Sequence, residues 1–364
     1  MKHRLTIAGV LMTTLSASLG AQAHPDTSGT ARRFDASALI LLSAFYVDDF
    51  VDNVDLPAVA TQPPGPFVLP PEAGGATMRQ SRITVNGVWP RALGGEVAGL
   101  LQVDFFGGQL ADARESPLLR LRRTHVQVRW PNAWLLIGQE APPIAAVSPS
   151  SPASVAVPGF SHAGNLWRWT PQVRAGASAG RAVLIGIEAA ALAPRSGEPV
   201  GVTVTQPDRA ERAERPQLEG RVLVRWGGDE SSGPSEISVG GHIGWMSNDR
   251  DSLLISRAGA ASAKISLGRH VELRGEAFFG QALAGLGAGI GQVLGPGGTT
   301  IYTSGGWAQL NLRPASNLEL GGGYGLDDPD DIQVDPDSGM VKNVSWEAHL
   351  IWAPAPLVFG LEYR

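Results

Sequence analysis

From Ser81 onward the chain is written in stretches of roughly ten residues in which apolar and polar side chains alternate. Ile83, Val85 and Trp89 alternate with Arg82, Thr84 and Asn86, and Val97, Leu101, Val103 and Phe105 oppose Glu96, Gln102 and Asp104. Val222, Val224 and Trp226 oppose Glu219, Arg221 and Arg225, and Trp346, Leu350 and Trp352 oppose Ser345, Glu347 and His349. Successive side chains of a strand point to opposite faces, so each stretch has one apolar and one charged face. A soluble sandwich also alternates, but its polar face rarely carries charge at every second position in strand after strand. The pattern predicts an all-β fold: a transmembrane antiparallel β-barrel with lipid outside and a wet lumen inside.

Composition agrees. Charged residues are 17% of the chain, below the roughly 25% of soluble proteins. No apolar run of the mature chain reaches the about 20 residues of a membrane helix. The connections alternate in size. Short turns are predicted at 91–94, 131–132, 177–180, 228–234, 268–269, 313–316 and 353–354, and long links between them, as in barrels with short periplasmic turns and long outer loops. Trp89, Trp130, Trp134, Trp226 and Trp352 fall beside short turns, where indoles form an aromatic girdle at the headgroups. Counting from Phe34–Tyr46 to Leu357–Arg364 gives about fifteen strands, whereas bacterial single-chain barrels have even numbers.

Lys2, His3 and Arg4 precede a mostly apolar run, Leu5 to Leu19, and Ala21-Gln22-Ala23 is an A-x-A cleavage site. Residues 1–23 therefore read as a signal peptide, 24–33 as a short periplasmic lead and 34–364 as the barrel. There is no cysteine, which excludes thiol catalysis, thiolate metal sites and disulfides. The net charge of −5 argues against nucleic acid as a partner. No cofactor or metal is expected and the chain does not read as an enzyme. Gly285 to Gly291 mimics a dinucleotide fingerprint without its βαβ context, and Ser161-His162 has no nucleophile elbow. The aspartates between Asp327 and Asp337 lack calcium-loop spacing and read as a solvated loop.

Several stretches resemble the DcaP-like family of trimeric outer-membrane porins: Arg82-Ile83, Leu101 to Gly107, Leu119 to Gln127, Gly138-Gln139, Arg274 to Gln281, Gly305 to Leu310, Gly323 to Pro329 and Gly360 to Tyr363. The resemblance implies a trimer of barrels of about sixteen strands passing small anions, including dicarboxylates. It departs from the family in two places. The lead is too short for the periplasmic helical segment of some relatives, and those barrels continue past the last matched strand. The expectation is a barrel lacking its final strand, with a gap or a parallel contact between first and last strands.

In a pore, fixed charges at the constriction do the selecting. The predicted pore-lining bases are Arg82, Arg123, Arg129, Arg168, Arg174, Arg221, Arg225 and Arg274, with His125; the acids are Glu96, Asp104, Glu272 and Glu276, joined by Glu219, Glu319 and Glu347. Bases concentrate between Arg123 and Arg225 and acids from Val271 onward, which predicts a transverse field; the other reading is that the charges pair and hold the wall. Arg120 and Arg122 share a face with Val126 and Val128, so strict alternation points them at lipid. A bulge, a position above the hydrocarbon or a trimer contact would resolve this. Loop 141–164, rich in Pro, Ser and Ala, is the segment expected to fold inward, the alternative being an ordinary surface loop. Passive diffusion of small anionic solutes through a homotrimeric outer-membrane porin is the leading function. A plugged structural or adhesive barrel is the alternative, and a barrel-embedded hydrolase the third.

Overall fold

The computed structural model describes residues 32–63, 65, 68–69, 72–108, 116–197, 207–228, 233–248, 252–337 and 339–364, together with the backbone of residues 7–17. Seventeen strands form one sheet. They are β1 (Ile7–Ala17), β2 (Arg33–Val47), β3 (Ala73–Thr77), β4 (Arg82–Ala92), β5 (Gly95–Gly107), β6 (Leu118–Arg129), β7 (Ala133–Glu140), β8 (Thr170–Gly180) and β9 (Val183–Leu192). There follow β10 (Gln217–Trp226), β11 (Ser235–Ser247), β12 (Leu253–Leu267), β13 (Val271–Gln281), β14 (Tyr302–Ala315), β15 (Leu318–Pro329), β16 (Asn343–Trp352) and β17 (Leu357–Tyr363). Neighbours in the wall are antiparallel. β3 pairs with the upper part of β2 and β4 with its lower part, so these two strands share one place and the wall has sixteen.

From Arg33 on, fifteen places are filled, the number the alternation predicts. In the unprocessed chain a sixteenth place, where a gap or a parallel contact was expected, is occupied. Ile7–Ala17, the stretch that reads as the core of a leader, lies between the first and last barrel strands. Ile7 is opposite Tyr46 on one side and Tyr363 on the other, antiparallel to both. An unpaired strand edge in hydrocarbon leaves N–H and C=O groups without partners, at several kcal/mol each, and any strand placed there relieves this. The predicted cleavage site and residues 24–31 of the lead lie outside the described residues.

The outward face carries the apolar residues of the alternation. Ile83, Leu101, Val126, Val222 and Trp346 are all exposed, as lipid-facing residues are in a chain without lipid. Trp89 stacks edge-on to Phe34 at 5.1 Å, Trp352 lies against Phe359 at 5.3 Å, and Trp130 donates to the Leu93 carbonyl. These sit by short turns, as a girdle requires. Trp134 does not join them. It faces inward beneath the guanidinium of Arg174, 5.2 Å from its ring.

β6 shows why alternation misled at Arg120 and Arg122. Gln102 of β5 pairs with Arg123, but the next residue, Val103, pairs with Leu121. Arg122 is the extra residue of a β-bulge, which flips the register above it. Leu121 is exposed outside, whereas Arg120, Arg122 and Arg123 all face the lumen. The bulge removes both Arg120 and Arg122 from any contest with lipid, where each would cost about 2–4 kcal/mol at mid-membrane.

Candidate functional site

The connection between β7 and β8, residues 141–169, does not stay outside. It enters the lumen and runs around the inner wall. Ile144 N–H donates to Glu219 of β10 at 3.2 Å, and Arg274 of β13 donates to the Ser148 carbonyl at 3.1 Å. Ser150 donates through N–H to Gln309 of β14 and through Oγ to Glu319 of β15, both at 2.7 Å. Ser151 donates to Glu362 of β17, and Gln80, in the corner between β3 and β4, donates to the Ala153 carbonyl at 2.8 Å. Arg82 and Arg122 donate to the Val155 carbonyl at 2.7 Å, and Arg120 to that of Ala156 at 2.7 Å. The segment then returns, with Phe160 N–H on Glu347 of β16 and Leu166 N–H on Glu276 of β13. A backbone inside a barrel has no ladder of its own, so its polar groups must find side chains. Here carbonyls meet arginines of β4, β6 and β13, and amides meet carboxylates of β10, β13 and β16.

Gly164 is where the returning segment touches the wall. Its φ is +97°, a conformation that glycine adopts without a steric penalty, and a Cβ would run into the Gly306 carbonyl.

A second connection, 282–301, also turns in. It holds the Gly285–Gly291 stretch as two short 3-10 turns, with Leu286 accepting from Trp167 N–H at 3.0 Å. Leu283, Leu286 and Ala288 pack with Ile144, Ala145 and Leu166 against Ala260 and Phe278 of the wall. This part of the cross-section is a dry core.

The predicted residues fall into four groups. Arg123, His125, Arg129, Arg174, Arg221, Arg225, Arg274 and Glu96 face inward in ion pairs. Arg123 pairs with Glu140 at 2.6 Å, beside His125 at 3.2 Å, and Arg129 with Glu96 at 3.5 Å. Arg174 and Arg221 share Glu188, at 2.8 and 2.9 Å, while Arg221 and Arg225 share Glu236. Asp104, Glu272 and Glu276 face inward but are covered. Asp104 sits beneath Arg120 and Arg122 at 2.7 and 2.9 Å, Glu272 among Lys264, Arg274 and Arg313, and Glu276 under Leu166. Arg82 faces inward with its Nη2 on the Val155 carbonyl. Arg168 alone is misplaced by the sequence: it lies in the loop ahead of β8, at the outer mouth, rather than on the wall.

Adjacent strands supply opposite charges, so the expected separation of bases from acids across the lumen is not found. The bases of β6–β10 have carboxylates on neighbouring strands, and Glu272 is ringed by cations. Glu140, Glu188 and Glu236, which complete these pairs, were missed, although alternation along Val183–Leu192 marks Glu188 as inward. Asp327 is buried, accepting from Thr303 and Ile290, and not in a solvated loop. Among the described residues no group of three His, Asp or Glu could hold a metal.

The pairs are not symmetric toward water. Side-chain exposure is 38% for Arg123 and 11% for Glu140, 41% for Arg225 and 15% for Glu236, and 25% for Arg120 and 0% for Asp104. The short carboxylate stays against the wall while the long guanidinium reaches into the lumen.

No protein-family model and no curated protein matches the chain. Among solved structures it is similar to the outer membrane channel DcaP of Acinetobacter baumannii, with a TM-score of 0.65 at 15% identity over 92% of this chain and 97% of that one. An anion-selective porin from Comamonas acidovorans matches at a TM-score of 0.49, 12% identical, over 99% of this chain and 98% of that one. With fifteen strands after Arg32, a sixteenth closing the ring, an apolar exterior and an inward third outer connection, the chain has the fold of a DcaP-like outer-membrane porin.

Proposed function

We propose that the protein is a homotrimeric porin of the Gram-negative outer membrane that lets small anionic solutes, such as dicarboxylates, diffuse passively past its inward loop. One observation carries the anion preference. In most lumen ion pairs the cation is the exposed partner, so a passing solute meets guanidinium groups although the chain's net charge is −5. Guanidinium forks suit carboxylates and hold their charge at any working pH. The test is the reversal potential of the purified protein in a bilayer under a salt gradient, where anion preference is expected and cation preference would refute the proposal. Arg129→Ala removes the most exposed lumen cation and leaves Glu96, so the preference should fall while assembly persists. A variant that fails to assemble would make Arg129 structural.

The dry cluster around Phe278 and Leu283 favours a second reading, a plugged barrel with no transport role. Absence of any conductance from correctly inserted protein would establish it.

We also infer that residues 1–23 are a leader, on the basic head, apolar run and A-x-A site. The intact mass of protein from the outer membrane should correspond to a start near His24. A mass including Met1 to Ala23 would show that Ile7–Ala17 stays in the wall. The native mass of the same preparation, three chains or one, tests the trimer.

A further inference from the structure

The outer mouth holds a recess of about 1020 Å³ between loop 51–58, the upper ends of β5 and β6, and residues 157–168 of the inward loop. Most of its charges are engaged. Asp55 receives both Nε and Nη2 of Arg79, and Asp52 accepts the amides of Ala58 and Val59 on one oxygen. Arg120 is spread between Asp104 and the Ala156 carbonyl. His162 is half-buried, and desolvation together with the nearby Arg168 brings its pKa down to about 4, so it is neutral at physiological pH.

Arg168 differs from every other arginine of this region. It is half-buried on the wall of the recess, and among the described residues it has neither a carboxylate at ion-pair distance nor a hydrogen-bond acceptor, so its fork opens onto the recess. Burial, and then the neighbouring cation Arg195, brings its pKa down to about 10; Asp208 pulls weakly the other way. Asp208 is itself engaged, by the Ser196 amide and hydroxyl and by the Ala210 amide. Arg82, Arg120, Arg122 and Arg274 each hold a loop carbonyl, and Arg168 holds none. Its donors are therefore open to whatever occupies the recess, whereas those of its neighbours are already engaged.

We infer that Arg168 is an oxyanion-capture site at the outer mouth, taking the carboxylate or phosphate group of a small solute before it enters the lumen. Five N–H donors in a planar fork match either group, and the rings of Phe106 and Trp167 on the same recess leave room for an apolar remainder. The site rests on the anion-passing reading above but makes a separate claim: binding that saturates, at a named residue.

The experiment measures current against concentration in a bilayer, with succinate or inorganic phosphate added on the side of the long loops. The wild type should saturate. Arg168→Ala should raise the half-saturating concentration roughly tenfold, the size of one lost charge-assisted hydrogen bond. Arg168→Lys, which keeps charge without the fork, should fall between the two and keeps the test open if the alanine variant misfolds. Reversal potentials in chloride should stay anion-preferring in all three, because Arg123, Arg129 and Arg225 are untouched. A cation-preferring wild type would defeat the porin reading itself. An anion-preferring wild type, with half-saturation unchanged in both variants for both solutes, would overturn the capture site alone.

Discussion

Replacing residues 146–158 by a short Gly-Ser linker should raise single-channel conductance severalfold while leaving the barrel assembled. This stretch passes Glu319, Glu362, Gln80, Arg82 and Arg122 in turn, so it occupies the lumen along most of its circumference. Its loss frees the donors and acceptors it satisfies, but in a wider lumen water takes its place and the cost of leaving them unpaired is small. The lumen side of a barrel tolerates such change better than the lipid side. Unchanged conductance would show that current flows elsewhere and that the loop is not the constriction. Selectivity should weaken with widening, because exposed arginines act on a solute less strongly through more water.

Asp104→Ala should be the most damaging single substitution in the wall. Asp104 is fully buried and accepts from Arg120 at 2.7 Å and Arg122 at 2.9 Å. Removing it leaves two guanidinium groups facing each other and Arg82 without a counter-charge, a loss on the order of 3–5 kcal/mol for a broken buried pair. Asp104→Asn keeps the shape and should recover only part. Glu96→Ala is the contrast. Its pair with Arg129 is 3.5 Å long and about half exposed, so solvent screening limits its contribution to at most about 1 kcal/mol. Denaturant unfolding of the three variants measures the difference. Equal, small losses would show that the arginines near Asp104 are satisfied by the Val155 and Ala156 carbonyls and water.

The arginines of β6 bear on how the loop and wall depend on each other. Arg122 donates to Asp104 and to the carbonyls of Val155 and Ala156, so one side chain links two wall strands and the loop. Arg364 does the same across the lumen, bonding Glu362, the Pro57 carbonyl and Ser154. Charges that would otherwise only line a pore thus fix its aperture. Under the proposed function, pairing and selecting are not exclusive roles for these residues: the carboxylate and one edge of the guanidinium hold the structure, and the exposed edge is left for a solute.

Much of the fold was legible in residue order alone. Alternation gave the strands, their inward and outward faces, the short and long connections and the fifteen barrel places after residue 32, because a strand's side-chain period is a local property. It failed wherever pairing between strands decides. The clash of Arg120 and Arg122 with Val126 and Val128 is visible in β6 alone, but that a bulge resolves it is decided by pairing, where Val103 skips to Leu121. Trp134 turned inward because its place on β7 sets it beneath Arg174 of β8, whereas turn proximity by itself marks a girdle residue. The distribution of charge likewise required the pairing: bases and acids that look segregated along the chain become neighbours when β8, β9, β10 and β11 lie side by side.

The sequence by itself determined that this chain builds a membrane barrel with a charged interior, since hydrophobic periodicity is read one strand at a time. Only the tertiary structure decided where residues 141–169 and 282–301 go, and which charges remain exposed. Those outcomes depend on partners far apart in the chain, such as Ser151 with Glu362 or Gln80 with Ala153. The physical reason is that an irregular segment has no periodicity of its own, and its path is set by the donors and acceptors that a closed wall presents to it.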